Sequence, residues 1–257
     1  MNIPVYILTI ESDYKIPLEF IKNSNGINVS IYKGFDAKKL NDINILEYFD
    51  SMRFQKKWNY SIEKTACACM ISHNNIYKTI LVSEHDYAII LEDDFLCSRG
   101  IDASLFESIE TPWDILILGY SRFTKKNLSI YNLTNPLINK EVLNLKYTVS
   151  KRVNDTTCGT IGYVIKKSYV EKLLRINNIP WFVADQWDEH AKIGADIMYL
   201  DPPLVWEKTS NNISAISSER KTSGTNEVKP IFKYTLTDYL KYPFRYIKYK
   251  VLTKNNG

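Results

Sequence analysis

No stretch of this chain approaches the roughly 18 consecutive apolar residues of a membrane-spanning helix, so no spanning segment is expected. The apolar opening, Met1 to Ile10, has no basic flank and is closed by Glu11. It reads as a buried first strand and not as a secretory leader. Cysteine is scarce, with four residues, and only Cys67 and Cys69 lie close together. That C-x-C has no second pair, and the remaining Cys97 and Cys158 are isolated, so the usual zinc and dithiol spacings are excluded. A reduced, cytoplasmic chain with buried thiols is expected. No internal repeat is present.

A net excess of either charge is also missing from most of the chain. The net charge is +4, yet residues 229–257 hold seven Lys or Arg against one acid, leaving the remainder about −2. A nearly neutral body argues against a nucleic-acid-binding face, and a basic tail suits an anionic surface.

The 257 residues are 45% hydrophobic and 24% charged, enough for one large α/β domain with a full core. Strands are expected at Val5–Ile10, Ile27–Tyr32, Tyr87–Leu91, Asp114–Leu118, Gly162–Ile165 and Ile197–Leu200. A helix is expected over 62–83, where Ile62, Ala66, Cys69, Met70, His73, Ile76, Tyr77 and Ile80 recur near a 3.6 period. A second helix is expected over Ser168–Arg175, with Ser168 as its cap. Alternating strands and helices predict a mostly parallel sheet covered by helices. Residues 120–150 read as irregular, a flap or acceptor loop. Residues 1–208 are expected to form the folded domain, 209–229 a polar linker and 230–257 a basic, aromatic, helical tail.

The informative segment is Ile89-Ile90-Leu91-Glu92-Asp93-Asp94. In an open α/β sheet, ligands bind beyond the carboxyl ends of strands, and here three acids follow a buried run. If the backbone stays extended, Glu92 and Asp94 point the same way. Two carboxylates on one side suit a hard divalent cation that also grips a diphosphate. An isolated acidic triplet can equally be a solvated turn; the apolar run before it favours metal binding. Further along, Asp185-Gln186-Trp187-Asp188-Glu189-His190 could hold a base or a ligand, or simply open a helix with acids in its first turn. Asn211, Asn212 and Ser214 could approach a diphosphate late in the chain.

Leu91-Glu92-Asp93-Asp94 resembles the acidic motif of glycosyltransferase family 25, the lipooligosaccharide biosynthesis transferases related to collagen galactosyltransferases. Further similarities follow in order: Lys33-Gly34-Phe35-Asp36, Cys69-Met70-Ile71-Ser72-His73, Trp113 to Gly119, Gly159 to Ile165, Val183-Ala184-Asp185 and Pro202-Pro203-Leu204-Val205. Ser12-Asp13-Tyr14-Lys15 stands where the family carries a serine followed by an arginine pair, and Thr65-Ala66 replaces a glycine-glutamate. The resemblance implies a GT-A-type, Rossmann-like fold and an inverting transfer, most often of galactose from UDP-galactose, to a lipooligosaccharide. UDP-glucose, UDP-N-acetylglucosamine, or a degenerate module that binds without turnover are the alternatives. It implies Mn²⁺ or Mg²⁺ on Glu92 and Asp94, donor-side roles for Asp36, Ser72, His73, Glu92 and Asp93, and Asp185 as general base. With the tail, it implies a peripheral enzyme on the inner face of the cytoplasmic membrane.

Overall fold

A computed structural model describes residues 2–121, 128, 131–132, 136–143, 146–152 and 159–208, with backbone alone at 42–44. Cys158, the linker, the tail, Asn211, Asn212 and Ser214 lie outside the described residues.

Five runs of apolar residues become interior strands. They are β1 (Ile3–Thr9), β3 (Tyr87–Glu92), β5 (Ile115–Ile117), β9 (Gly162–Lys166) and β10 (Ile197–Asp201). Each is apolar on both faces because both faces of the sheet are covered. At one edge, β2 (Ile27–Lys33) has no buried residue, and Asn28, Ser30, Ile31 and Lys33 are exposed. At the other edge lie β8 (Thr148–Arg152) and β7 (Leu137–Val142). The eight-stranded order is β2-β1-β3-β9-β5-β10-β8-β7. Parallel pairing joins β2, β1 and β3, and also β5 and β10; β9 and β8 run against the other six strands.

Residues 120–150 therefore differ from the irregular loop expected of them. Part of the segment is the β7–β8 hairpin, which extends the sheet. It escaped the pattern because β7 is a polar edge strand, Leu-Ile-Asn-Lys-Glu-Val, whose register breaks between Ile138 and Glu141. Such irregularities twist an edge away from further pairing.

Alternation along the strands divides the core between the two faces. Ala88, Ile90, Ile115, Ile117, Tyr163, Ile165 and Tyr199 face one cluster, while Ile89, Leu91, Leu116, Val164, Met198 and Leu200 face the other. Fully burying each large aliphatic chain contributes about 1.5–3 kcal/mol.

The helices are α1 (Leu18–Asn23), α2 (Asp42–Tyr48), α3 (Ser51–Trp58), α4 (Lys64–Val82), α5 (Ser104–Glu107), α6 (Lys167–Ile176) and α7 (Trp187–Lys192). Helix α4 covers the first face and is buried on much of its circumference, including Ser72, His73 and Asn74. Helix α6 starts one residue earlier than expected, and Ser168 is not its cap. Strand β9 runs straight into it, and the Lys167 N–H donates to the Asp86 carbonyl at 2.7 Å.

A second, three-stranded sheet joins β4 (Phe95–Leu96), β11 (Val205–Glu207) and β6 (Gly119–Tyr120). It holds the chain that leaves the acidic triplet. Gly119 is required there by close approach: a Cβ would stand 2.2 Å from the Val205 carbonyl oxygen.

Candidate functional site

Because β9 is antiparallel, its amino end lies beside the carboxyl end of β3, and the carboxyl end of β1 flanks the other side. Three strand ends thus meet at the acids. Glu92 closes β3, and its N–H donates to the Ile161 carbonyl at 3.2 Å. Its carboxylate accepts the Thr160 hydroxyl, while Asp93 accepts the hydroxyl of Thr9. Thr9 also accepts the Glu11 N–H at 3.0 Å. The expected extended alternation does not reach Asp94, because β3 stops at Glu92 and Asp93-Asp94 turn into β4. The turn is held by the Lys208 N–H, which donates to the Asp94 carbonyl at 2.8 Å.

This turn concentrates negative charge. Asp94 Oδ1 is buried with no hydrogen-bond partner among the described residues. Burial, followed by Glu92, Glu207 and Asp93, pushes the Asp94 carboxyl up to about 7. The Tyr14 phenol rises to about 12 through burial and then Asp93, Asp94 and Glu11. Among the described residues no Lys or Arg pairs with Glu92, Asp93 or Asp94; the one basic neighbour is His73 Nε2, 3.9 Å from Glu92 Oε1. Carboxylates gathered without a cation, one oxygen orphaned, fit a hard divalent ion.

Beneath the acids lies the first part of α4. Ser72 Oγ accepts the Phe35 N–H at 2.8 Å and donates to the Ala68 carbonyl at 2.7 Å. Ser72 is thus buried and clips the segment after β2 onto the helix. His73 is fully buried; its Nδ1 meets the Tyr163 hydroxyl at 2.8 Å, and that hydroxyl meets Tyr77 at 2.8 Å. Asp36 opens a short 3-10 turn, Ala37–Lys39, and accepts the Lys38 N–H at 3.0 Å. No contact among the described residues brings Asp36 to the acids.

Asp185 does join the group. Its Oδ2 accepts the Gly159 N–H at 2.9 Å, one residue from the threonine that holds Glu92. It also flanks Cys69: burial, then Glu92 and Asp185, raise that thiol well above its ordinary range. The rest of the segment after Asp185 is structural. Glu189 is buried against Lys57 and Lys192, Asp188 pairs with Lys192 at 2.8 Å, and His190 Nδ1 meets Tyr169 at 2.8 Å. Burial lowers His190 to about 4, which keeps it neutral.

Sequence reasoning missed Thr9, Tyr14, Cys69, Thr160 and Glu207. Thr9 ends the strand beside the acids and Thr160 precedes another, and hydroxyls at such strand ends were the available signal. Glu207, on β11, bears on Asp94 through its charge, whereas Asn211, Asn212 and Ser214, which could approach a diphosphate, lie outside the described residues. A cavity of about 610 Å³ opens next to β4, lined in part by Phe20, Leu96, Arg99, Tyr147, Pro203 and Trp206, and none of the three acids lines it.

The sequence profile of glycosyltransferase family 25 (LPS biosynthesis protein) matches residues 2–187. No curated protein matches the chain. Among solved structures, it is similar to the inositol-1-phosphate CTP transferase from T. maritima, at 12% identity and a TM-score of 0.41, covering 86% of this chain and 95% of that one. It is also similar to the glycosyltransferase GlyE of Streptococcus pneumoniae TIGR4, at 9% identity and a TM-score of 0.37, covering 82% of this chain and 55% of that one. The family match spans the acidic triplet, the β1 and β9 ends that brace it, and Asp185, and the chain belongs to glycosyltransferase family 25.

Proposed function

We propose that this chain is a GT-A-type, metal-dependent, inverting glycosyltransferase that moves galactose from UDP-galactose to a lipooligosaccharide acceptor. The observation that carries the metal reading is the orphaned Asp94 Oδ1 among carboxylates with no Lys or Arg partner among the described residues. Glu92 and Asp94 would hold Mn²⁺ or Mg²⁺. When bound, the ion supplies Lewis-acid neutralisation of the leaving diphosphate. Asp93, tied to Thr9, and Ser72 and His73, set in α4, support the donor side of the site.

Asp185 is the group that takes the acceptor hydroxyl's proton as that oxygen attacks the anomeric carbon. Its hydrogen bond from the Gly159 N–H fixes the carboxylate's position. The nucleoside diphosphate departs from the opposite face, so the product linkage is β. The donor sugar rests on the family resemblance; UDP-glucose and UDP-N-acetylglucosamine are the competing donors.

The test is UDP release from a panel of UDP-sugars with a lipooligosaccharide acceptor, with and without Mn²⁺. UDP-galactose is expected to give the highest rate, and EDTA to abolish it. A higher rate with another donor reassigns the sugar, and an undiminished rate in EDTA removes the metal. Binding of UDP with no release from any donor makes the chain a non-catalytic module.

A further inference from the structure

We infer that Cys69, His73 and Glu92 form a second cation site, suited to a thiophilic divalent ion of the zinc type. The site shares Glu92 and His73 with the proposed donor side, and Cys69 belongs to it alone. The sulfur, one imidazole nitrogen and one carboxylate oxygen of these residues all lie within 4.8 Å of one another. Cys69 and His73 stand four residues apart on α4 and so share one face of it. Glu92 meets that face from the end of β3.

The independent observation is the imidazole. His73 is fully buried, and its Nε2 has no hydrogen-bond partner among the described residues. Its other nitrogen is held by Tyr163, with Tyr77 behind it, and the ring lies roughly parallel to that of Tyr163, with centroids 5.8 Å apart. Metal-binding histidines are oriented in this way, by a partner on the nitrogen that faces away from the ion. The free nitrogen sits 3.9 Å from Glu92 Oε1, too far for a hydrogen bond. A cation between them would satisfy the nitrogen and add a ligand bond to an oxygen that already accepts the Thr160 hydroxyl. The other orphaned imidazole, His190, is surrounded by Tyr169, Phe182 and Trp187 and has no such donors beside it among the described residues.

Thiolate, imidazole and carboxylate together select zinc-like ions over magnesium-like ones. Bonds to zinc of about 2.0–2.3 Å place tetrahedral ligands about 3.5 Å apart, so closure from the present arrangement needs shifts of about 1 Å. Three protein ligands leave a fourth position open, and Cys69 and Glu92 are both partly exposed, which gives the ion a route in. On binding, the Cys69 S–H bond breaks, the proton passes to solvent and the S–metal bond forms.

The experiment is a Co²⁺ titration of the full, chelator-stripped chain without nucleotide. A thiolate-to-cobalt absorption band in the near ultraviolet is expected, with strong visible bands of four-coordinate cobalt, all bleached by equimolar Zn²⁺. Cys69→Ser is expected to lose the near-ultraviolet band, and His73→Gln to weaken Co²⁺ binding tenfold or more. Asp94→Asn is expected to keep the band while losing Mn²⁺-dependent UDP binding, which separates this site from the donor site. No thiolate band in the unmodified chain overturns the proposal, whatever the variants do. A band unchanged in Cys69→Ser overturns it as well, since another thiol would then be the ligand.

Discussion

Asp94 carries more unfavourable charge than any other group described in the acidic turn, and that gives it two separable signatures. The first concerns rate. Asp94→Asn is expected to lower sugar transfer by on the order of a hundredfold or more and to weaken Mn²⁺-dependent UDP binding. Transfer kinetics and a UDP titration check this, and near-normal turnover would remove the metal role. The second concerns pH. The folded-state value of about 7 lies above that of an unfolded aspartate, about 3.9. The folded protein therefore binds this proton more tightly than the unfolded chain. The stability it contributes is complete below the unfolded value and is lost as pH rises through about 7. In EDTA, the melting midpoint of the unmodified chain is expected to fall across that window relative to Asp94→Asn. Saturating Mn²⁺ should restore it. Identical pH slopes for the two proteins would show that Asp94 is not the strained group.

Asp185, the proposed base, poses a different question, because its carboxylate also accepts the Gly159 N–H. Asp185→Asn keeps an acceptor oxygen for Gly159 but removes basicity. It is expected to reduce kcat by on the order of 10²–10⁴ with UDP affinity retained. Parallel loss of UDP binding would mean that the carboxylate serves the donor site instead. At this scale the sequence was partly legible. Glu92, Asp93 and Asp94 stand out because an apolar run delivers them to a strand end. Thr9, Thr160 and Glu207 do not stand out, because they become relevant only when β1, β9 and β11 are placed beside β3. Cys69 and His73 were visible as a helical face, but not as neighbours of Glu92.

Among the elements, the turn before β9 links the fold to the chemistry. Gly159 has φ +88, its N–H holds Asp185, and a Cβ there would meet Ser121 Oγ at 1.8 Å. Gly159→Ala is expected to cost about 1–3 kcal/mol of stability through the left-handed backbone, and to reduce transfer further by shifting Thr160 and Asp185. Denaturant midpoints and kcat measure the two effects, and a variant with normal values of both would show that the turn relaxes freely. The interior strands and α4 were legible because burial on both faces leaves long apolar runs and a strong helical period. The direction of β9 was not, since an apolar strand carries the same pattern whichever way it runs. The β7–β8 hairpin was not either, because edge strands are polar and, here, irregular. Nor was the start of α6, whose first N–H is satisfied by a distant carbonyl rather than by a local side chain.

At the scale of the whole molecule, the charge asymmetry remains to be explained. The family profile ends at residue 187 and the described fold at 208, whereas the excess positive charge lies at 229–257. Tyr239, Tyr242, Tyr246 and Tyr249 recur at spacings of three and four, with Lys241, Arg245 and Lys248 one position away. On a helix this sets an aromatic stripe beside a basic one, as a segment lying in a membrane interface requires. Pro243 fits such a helix only in its first turn. Each basic residue near an anionic leaflet contributes about 1 kcal/mol. Seven of them against Asp238, with buried tyrosines, would suffice to localise the enzyme where a lipid-linked acceptor resides. The attraction is electrostatic in large part, so it should weaken as salt shortens the Debye length. The full chain is expected to sediment with phosphatidylserine-containing vesicles at low salt and to be released at high salt. A chain ending at Lys229 is expected to stay in the supernatant in both. Equal sedimentation of the two chains, or none by either, would mean that the tail is not the anchor and that its lysines simply face water.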